Sequence, residues 1–154
     1  MFTKSSKPLT LADIAALEKT LGMRLPADFT NLYLHANGGV ADKSYYYVEE
    51  DEGFVEVSFF IPINYPSDEL GNLDVLNSHL NLTDKGIPKR YLPFAVDWGG
   101  NYFAIDLETN EVILLLMDLG EFTDSSVKRL SSSFLNFINE LVCFYSDTEH
   151  RVFP

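Results

Sequence analysis

The sequence predicts an α+β fold, in which helices near both ends of the chain pack on a twisted, mainly antiparallel sheet of about five strands. Two observations lead to this prediction. Apolar residues recur at helical spacing near both ends of the chain, whereas the middle is rich in aromatic and β-branched residues. Short turns with glycine or asparagine separate the central apolar segments, which is typical of antiparallel hairpins. We therefore expect most of the helices to lie on one side of a single sheet.

The size of the chain predicts one domain. Its 154 residues, 46% of them hydrophobic, can enclose one sizeable core. Chains of this length bury roughly 70% of the surface that they expose when unfolded, so stability requires neither a disulfide nor a metal. The single cysteine, Cys143, excludes an intramolecular disulfide. Since no repeat or linker divides the chain, residues 1–154 are predicted to form one domain with a core from about 10 to 146.

Two helices are predicted in the N-terminal part. Thr10 is a candidate N-cap, Asp13 occupies the acidic position of a capping box, and Gly22 ends the first helix. Pro26 is expected at the first position of the second helix. Residues 37–39, an Asn-Gly-Gly run, are expected to end that helix because asparagine and glycine tolerate the left-handed conformation.

Strands are predicted in the middle of the chain. They are residues 45–48, 54–61, 91–96, 102–107 and 111–117. The first two flank an acidic turn and predict a hairpin, and the last three predict a meander. The final strand is a continuous apolar run, which is typical of a strand covered on both faces.

Two further helices complete the predicted order of elements. One has leucines at weakly helical spacing behind Asn72, a possible cap. The other covers about residues 132–145, behind three serines that can cap it. We expect this last helix to lie across one face of the sheet.

The charge of the chain restricts its partners. Lysine and arginine total 11 against 23 aspartates and glutamates, so the net charge is −12. Such a field repels phosphate backbones and anionic lipid, which argues against nucleic acid and membranes. A basic protein would be attracted, although acidity that only keeps a cytosolic protein soluble is the alternative. Residues 1–10 lack the apolar run of a signal peptide, which favours a cytoplasmic location.

The chemistry-bearing residues do not indicate an enzyme. The three histidines are scattered without metal-ligand spacing, and neither a nucleophile elbow nor a phosphate loop is present. Asp97 with Asp106 or Glu108 could form a carboxylate pair of the glycosidase type, but no second feature supports it. We therefore predict no catalytic residues, no cofactor and no metal.

The first candidate contact surface is the acidic hairpin. Its residues are Tyr46, Glu49, Glu50, Asp51, Glu52 and Glu56. The run of acids could bind a basic partner, or could be an ordinary solvated turn. It lacks the alternating spacing of a calcium loop. Tyr46 should point away from Tyr45 and Tyr47, and whichever side of the strand is exposed could add contact area.

The second candidate surface is the turn after residues 91–96. Asp97 and Trp98 could present a carboxylate and an aromatic anchor, since tryptophan is enriched among interface hot spots. The alternative is that Asp97 and Asn101 stabilise the turn through side-chain hydrogen bonds while Trp98 covers a sheet edge.

Three blocks of this sequence resemble one known family. The first block contains Ile14-x-x-Leu17-Glu18-x-x-Leu21-Gly22, then Leu25-Pro26-x-Asp28-Phe29, then Asn37-Gly38-Gly39. The second is Tyr91-Leu92-Pro93-Phe94-Ala95-x-Asp97-x-Gly99-Gly100-Asn101-x-Phe103-x-Ile105-Asp106. The third is Ser133-Phe134-x-x-Phe137-Ile138. In this order they are similar to the SUKH superfamily, whose members include bacterial immunity proteins and fungal cell-wall regulators.

The resemblance implies a function that composition alone does not. It implies an immunity protein that binds a cognate bacterial toxin, often a nuclease, and occludes its active site. The acidic charge agrees with this, because a nuclease binds its substrate in a basic cleft. The alternative that the resemblance offers is a regulatory or scaffold module without a toxin partner. The identity of the toxin and the oligomeric state stay open.

Overall fold

The computed structural model describes residues 1–143. In that range the helices are α1 (Leu11–Leu21), α2 (Ala27–His35), α3 (Val75–Asp84) and α4 (Phe134–Glu140). The strands are β1 (Phe2–Thr3), β2 (Val40–Ala41), β3 (Tyr45–Val48), β4 (Gly53–Glu56), β5 (Phe59–Phe60), β6 (Tyr91–Val96), β7 (Tyr102–Asp106), β8 (Val112–Leu115) and β9 (Val127–Ser131). No helix in this range is long and apolar enough to cross a membrane.

The main sheet has five strands in the order β5-β6-β7-β8-β9, and each strand is antiparallel to its neighbours. This confirms the α+β class, the mainly antiparallel sheet and the C-terminal helix. Strands β3 and β4 pair separately as the predicted hairpin, and β1 pairs with β2.

The predicted strand 54–61 is divided between two sheets. The amide of Val57 bonds to the carbonyl of Ser44 at 2.7 Å, whereas the amide of the next residue, Ser58, bonds to the carbonyl of Val96 at 2.8 Å. The chain therefore leaves the hairpin and enters the main sheet at this point. The fifth strand of the main sheet is instead β9, which the sequence analysis missed. Its sequence, Val-Lys-Arg-Leu-Ser, is only partly apolar because it is an edge strand.

The capping box of α1 is confirmed. The amide of Asp13 donates to Thr10 Oγ1 at 3.2 Å, and the amide of Thr10 donates to Asp13 Oδ2 at 2.9 Å. Gly22 ends the helix with a φ of 70°, in the left-handed region. The buried face of α1 carries Ile14 and Leu17, which places the helix on the core.

The boundaries of α2 differ slightly from those predicted. Pro26 is the N-cap rather than the first helical residue, and the helix ends at His35 before an extended Ala36. The glycines that follow serve close packing instead. A Cβ on Gly38 would lie 2.7 Å from the carbonyl oxygen of Phe60, and a Cβ on Gly39 would lie 2.4 Å from that of Thr3. Only glycine allows the backbone to approach β5 and β1 so closely.

The caps and lengths of the last two helices are also corrected. Asp74, not Asn72, caps α3, because its carboxylate accepts from the amide of Asn77 at 2.8 Å. Ser133 caps α4 as expected, but the helix ends at Glu140, well short of residue 145. Val142 is already extended and pairs with Tyr45 of β3 through two backbone hydrogen bonds of 2.8 and 3.1 Å. The last residues of the predicted helix, 144–145, lie outside the described range.

The core lies on both faces of the sheet. The larger cluster packs α1, α2, α4 and Val75 of α3 against one face, and the smaller cluster contains Leu82 of α3 and lies on the opposite face. Strand β8 alternates between them, with Leu114 in the larger cluster and Ile113 in the smaller one. This confirms the prediction that the strand is covered on both faces. Helix α4 contacts both β3 and β9, because Phe137 stacks on Tyr46 and Glu140 accepts from the hydroxyl of Ser131.

Candidate functional site

The acidic turn of the β3–β4 hairpin is a single 3₁₀ turn, Glu49–Asp51, with exposed carboxylates. Asp51 binds Lys128 of β9, with an Oδ2–Nζ distance of 2.6 Å. This ion pair connects the turn to the edge of the main sheet. Glu49, Glu50 and Glu52 are exposed to solvent.

Burial separates the tyrosines of β3. Tyr46 is only 6% exposed and stacks on Phe137, with ring centroids 5.0 Å apart. Its hydroxyl donates to the carbonyl oxygen of Leu130 and to Glu140 Oε1, the latter at 3.1 Å. Tyr46 therefore belongs to the core, although it was a candidate contact residue. The strand presents Tyr47, which is 46% exposed, on its other side.

The environment of Tyr46 predicts a dependence of stability on alkaline pH. Burial, followed by the charge of Glu140, raises the pKa of Tyr46 from its ordinary value of 10.0 to about 12. The folded state therefore holds this proton more tightly than the unfolded state. The contribution of this group to the free energy of unfolding is fully present below pH 10.0 and is lost as the pH rises through about 12. Tyr46→Phe should reduce the loss of unfolding free energy across that window, measured by urea denaturation. An equal loss in both proteins would contradict this assignment.

The turn between β6 and β7 is organised by Asp97. Its Oδ1 accepts from the amides of Gly99 and Asn101, both at 2.8 Å, and its Oδ2 accepts from Asn101 Nδ2 at 3.0 Å. Asn101 Oδ1 in turn accepts from the amide of Met117 at 2.9 Å. Both polar residues thus stabilise the turn, which is the alternative that the sequence analysis gave for them.

Trp98 projects from this turn and is 74% exposed. Its indole Nε1 donates to Glu56 Oε1 at 2.9 Å. The structure therefore brings together residues from both candidate hairpins. Glu56 lies at the end of β4 opposite the acidic turn, about 13 Å from Glu52 at roughly 3.3 Å per strand residue. We call the surface that runs along the hairpin from the acidic turn to Glu56 and Trp98 the acidic strip. Its members are Glu49, Glu50, Glu52, Glu56 and Trp98.

The possible carboxylate pair does not form. Asp97 lies at the turn, where its amide donates to the carbonyl of Asn101. Asp106 lies at the opposite end of β7, where it pairs with Tyr91. About five residues of strand separate the two carboxylates, or roughly 16 Å. A glycosidase pair requires about 5–10 Å. Asp106 instead pairs with Arg90, with a distance of 3.5 Å between Arg90 Nε and Asp106 Oδ2. Within residues 1–143, moreover, no group of His, Cys, Asp or Glu side chains is arranged to hold a metal ion.

The structure reveals a cleft that the sequence analysis missed. It lies between β3 with its acidic turn and β9, and has a volume of ≈ 510 Å³. Its lining residues are Tyr46, Tyr47, Val48, Glu49, Glu50, Arg129, Leu130 and Glu140. These residues come from three separate parts of the sequence. The acidic run indicated one wall, but the other wall depends on β9, which was not predicted.

Comparison with known proteins agrees with this architecture. The profile of the SMI1 / KNR4 family (SUKH-1) matches residues 8–140. A search of curated proteins finds no significant match. The matched range includes all three sequence blocks and extends from two residues before the cap of α1, Thr10, to the end of α4. SUKH domains include immunity proteins and are not, in general, enzymes. The chain belongs to the SMI1 / KNR4 family (SUKH-1).

Proposed function

We propose that this protein is a cytoplasmic immunity protein that binds a cognate bacterial toxin and neutralises it by occluding the active site. The observation that carries this proposal is the acidic strip. Its exposed acids and its exposed tryptophan come from two hairpins that the Trp98–Glu56 hydrogen bond holds together. Family membership supports a role in protein interaction.

Electrostatics favours a basic partner. The net charge of −12 attracts a basic surface at long range, and the strip concentrates part of that charge on one hairpin. A nuclease toxin needs a basic cleft to bind phosphates, so the strip would compete with its substrate there. The attraction should weaken with added salt, because exposed charges are screened.

Trp98 is the best candidate for an anchor. The side chain is exposed but already oriented, since its indole nitrogen is bound to Glu56 and its turn is held by Asp97. Such pre-orientation reduces the entropy lost when the ring enters a pocket on the partner. In this arrangement Asp97 acts by positioning the turn, and Tyr46 by positioning β3.

The experiment that tests the proposal is a protection assay. A candidate toxin domain from a gene neighbouring this one would be expressed with and without this protein. We expect colony formation to be restored only when both are present, and the purified pair to form a 1:1 complex. A complex without protection, or several weak partners lost at moderate salt, would instead favour a regulatory or scaffold module.

We predict that Trp98→Ala weakens binding to that toxin domain by about 30-fold, since truncating a hot-spot residue costs at least about 2 kcal/mol. Isothermal titration calorimetry measures the change. Leu80→Ala is the matched control, because Leu80 is also exposed, at 49%, but lies on α3. Equal affinities for Trp98→Ala and the wild type, with the fold intact, would remove Trp98 from the contact surface.

A further inference from the structure

We propose that the β3–β4 hairpin is a conformational device that covers the outer edge of β9 and prevents this edge from pairing with a second copy of the chain. The inference does not depend on which partner the protein binds. Three observations carry it: the contacts between the hairpin and β9, the separate pairing of the hairpin, and the cleft between the hairpin and β9.

The first observation is that side chains of the hairpin occupy the outer edge of β9. The hydroxyl of Tyr46 donates to the carbonyl oxygen of Leu130, a residue that the register shift of β9 leaves without a partner on β8. Asp51 of the acidic turn binds Lys128, with distances of 2.7 and 2.6 Å from its two carboxylate oxygens to Nζ. An added strand would have to lie about 4.8 Å from β9, where the hydroxyl of Tyr46 is already bonded. The hairpin therefore excludes a second strand from this edge.

The second observation is that the hairpin is held to β9 by side chains. Within residues 1–143, β3 and β4 pair with each other, and no backbone hydrogen bond joins either of them to β9. The chain passes from the hairpin to the main sheet between Val57 and Ser58, whose amides bond to Ser44 and Val96 respectively. The hairpin can therefore separate from β9 without breaking a ladder of the main sheet.

The third observation is the cleft of ≈ 510 Å³ between β3 and β9. Closely packed elements leave few voids larger than a water molecule, so the hairpin and β9 are not packed together along their whole length. The contacts of Tyr46 and Asp51 connect the two sides of this cleft. Removal of these contacts should therefore expose the edge of β9.

An exposed edge of β9 would have a physical consequence. Unpaired backbone groups on an edge strand are a template for pairing with another chain. A lysine and a β-bulge both discourage such pairing, and β9 has Lys128 and the register shift at Leu130. The hairpin adds a third protection, which depends on its position in the folded chain.

Hydrogen–deuterium exchange, read by mass spectrometry, tests whether the hairpin covers the edge. Tyr46→Phe with Asp51→Asn removes both contacts and leaves the sequence of β9 unchanged. We expect the exchange of residues 127–131, relative to that of α2, to become about tenfold faster or more. This is the effect expected when a buried carbonyl loses its donor and an ion pair is lost.

The matched control is Tyr91→Phe with Glu108→Gln. Tyr91 is 6% exposed, as Tyr46 is, and Glu108 forms a partly exposed ion pair with Arg90. This variant makes the same kinds of change away from β9 and should alter the exchange ratio by less than about twofold. If the first double variant does not fold, Asp51→Asn alone should raise the ratio about threefold, and Glu108→Gln alone is then the control.

Self-association is the second measurement. Sedimentation velocity at about 0.5 M NaCl screens the repulsion between copies that each have a net charge of −12. We expect the variant with the uncovered edge to form dimers or larger species at protein concentrations at which the wild type and the control do not. Unchanged exchange of residues 127–131 would overturn the proposal, because the hairpin would then not protect the edge. Faster exchange without added association would also overturn it, since a second copy would not use that edge.

Discussion

Phe94→Ala should lower the free energy of unfolding by about 3–5 kcal/mol, the range for removing a large aromatic side chain from a core. Phe94 is completely buried on β6, and its ring lies 5.1–6.3 Å, between centroids, from four other phenylalanine rings. These rings belong to Phe29, Phe60, Phe134 and Phe137. The substitution therefore disconnects α2, β5 and α4 from the centre of the sheet.

Urea denaturation followed by circular dichroism measures this effect. Because small domains are stable by only about 5–15 kcal/mol, the variant should be partly unfolded well below the wild-type midpoint. Leu135→Ala is the control. Leu135 lies on α4 but is 53% exposed, so its loss should change stability by less than about 0.5 kcal/mol. A loss below about 1 kcal/mol for Phe94→Ala would show that the rings do not form one packed unit.

Asn37→Ala should destabilise the protein by about 3 kcal/mol or more. The side chain is 2% exposed. Its Nδ2 donates to the carbonyl oxygens of Lys7 and Ile63, each at 2.9 Å, and its Oδ1 accepts from the amide of Ile63 at 2.7 Å. Alanine leaves the carbonyl of Lys7 and the amide of Ile63 without a partner, whereas the carbonyl of Ile63 still accepts from the amide of Tyr65 at 2.8 Å. Each buried group left unsatisfied costs about 1–3 kcal/mol.

The matched control is Asn31→Ala, which makes the same substitution at an exposed position of α2. It should be neutral or slightly stabilising, since alanine has the higher helix propensity. Thermal unfolding of the two variants and the wild type gives the comparison. Similar melting temperatures for Asn37→Ala and the wild type would mean that water replaces the asparagine amide, and that Asn37 does not hold the N-terminal segment to the 61–63 loop.

The candidate site was only partly accessible from the sequence. Local chemistry predicted the acidic hairpin and gave turn stabilisation as one of two readings for Asp97, because both features depend on residues close together in the chain. Alternation correctly predicted that Tyr46 points away from Tyr47, but not which of them is buried. That choice depends on Phe137 and Glu140, which approach β3 only in the folded chain.

The α+β class, the capping box of α1 and the doubly covered strand β8 follow from the sequence alone, because helix caps and hydrophobic periodicity are local signals. The tertiary structure decided where strand 54–61 divides, that β9 completes the sheet, and that Trp98 meets Glu56. Each of these depends on contacts between segments far apart in the chain. An edge strand such as β9 carries little hydrophobic pattern of its own, so only its pairing with β8 identifies it.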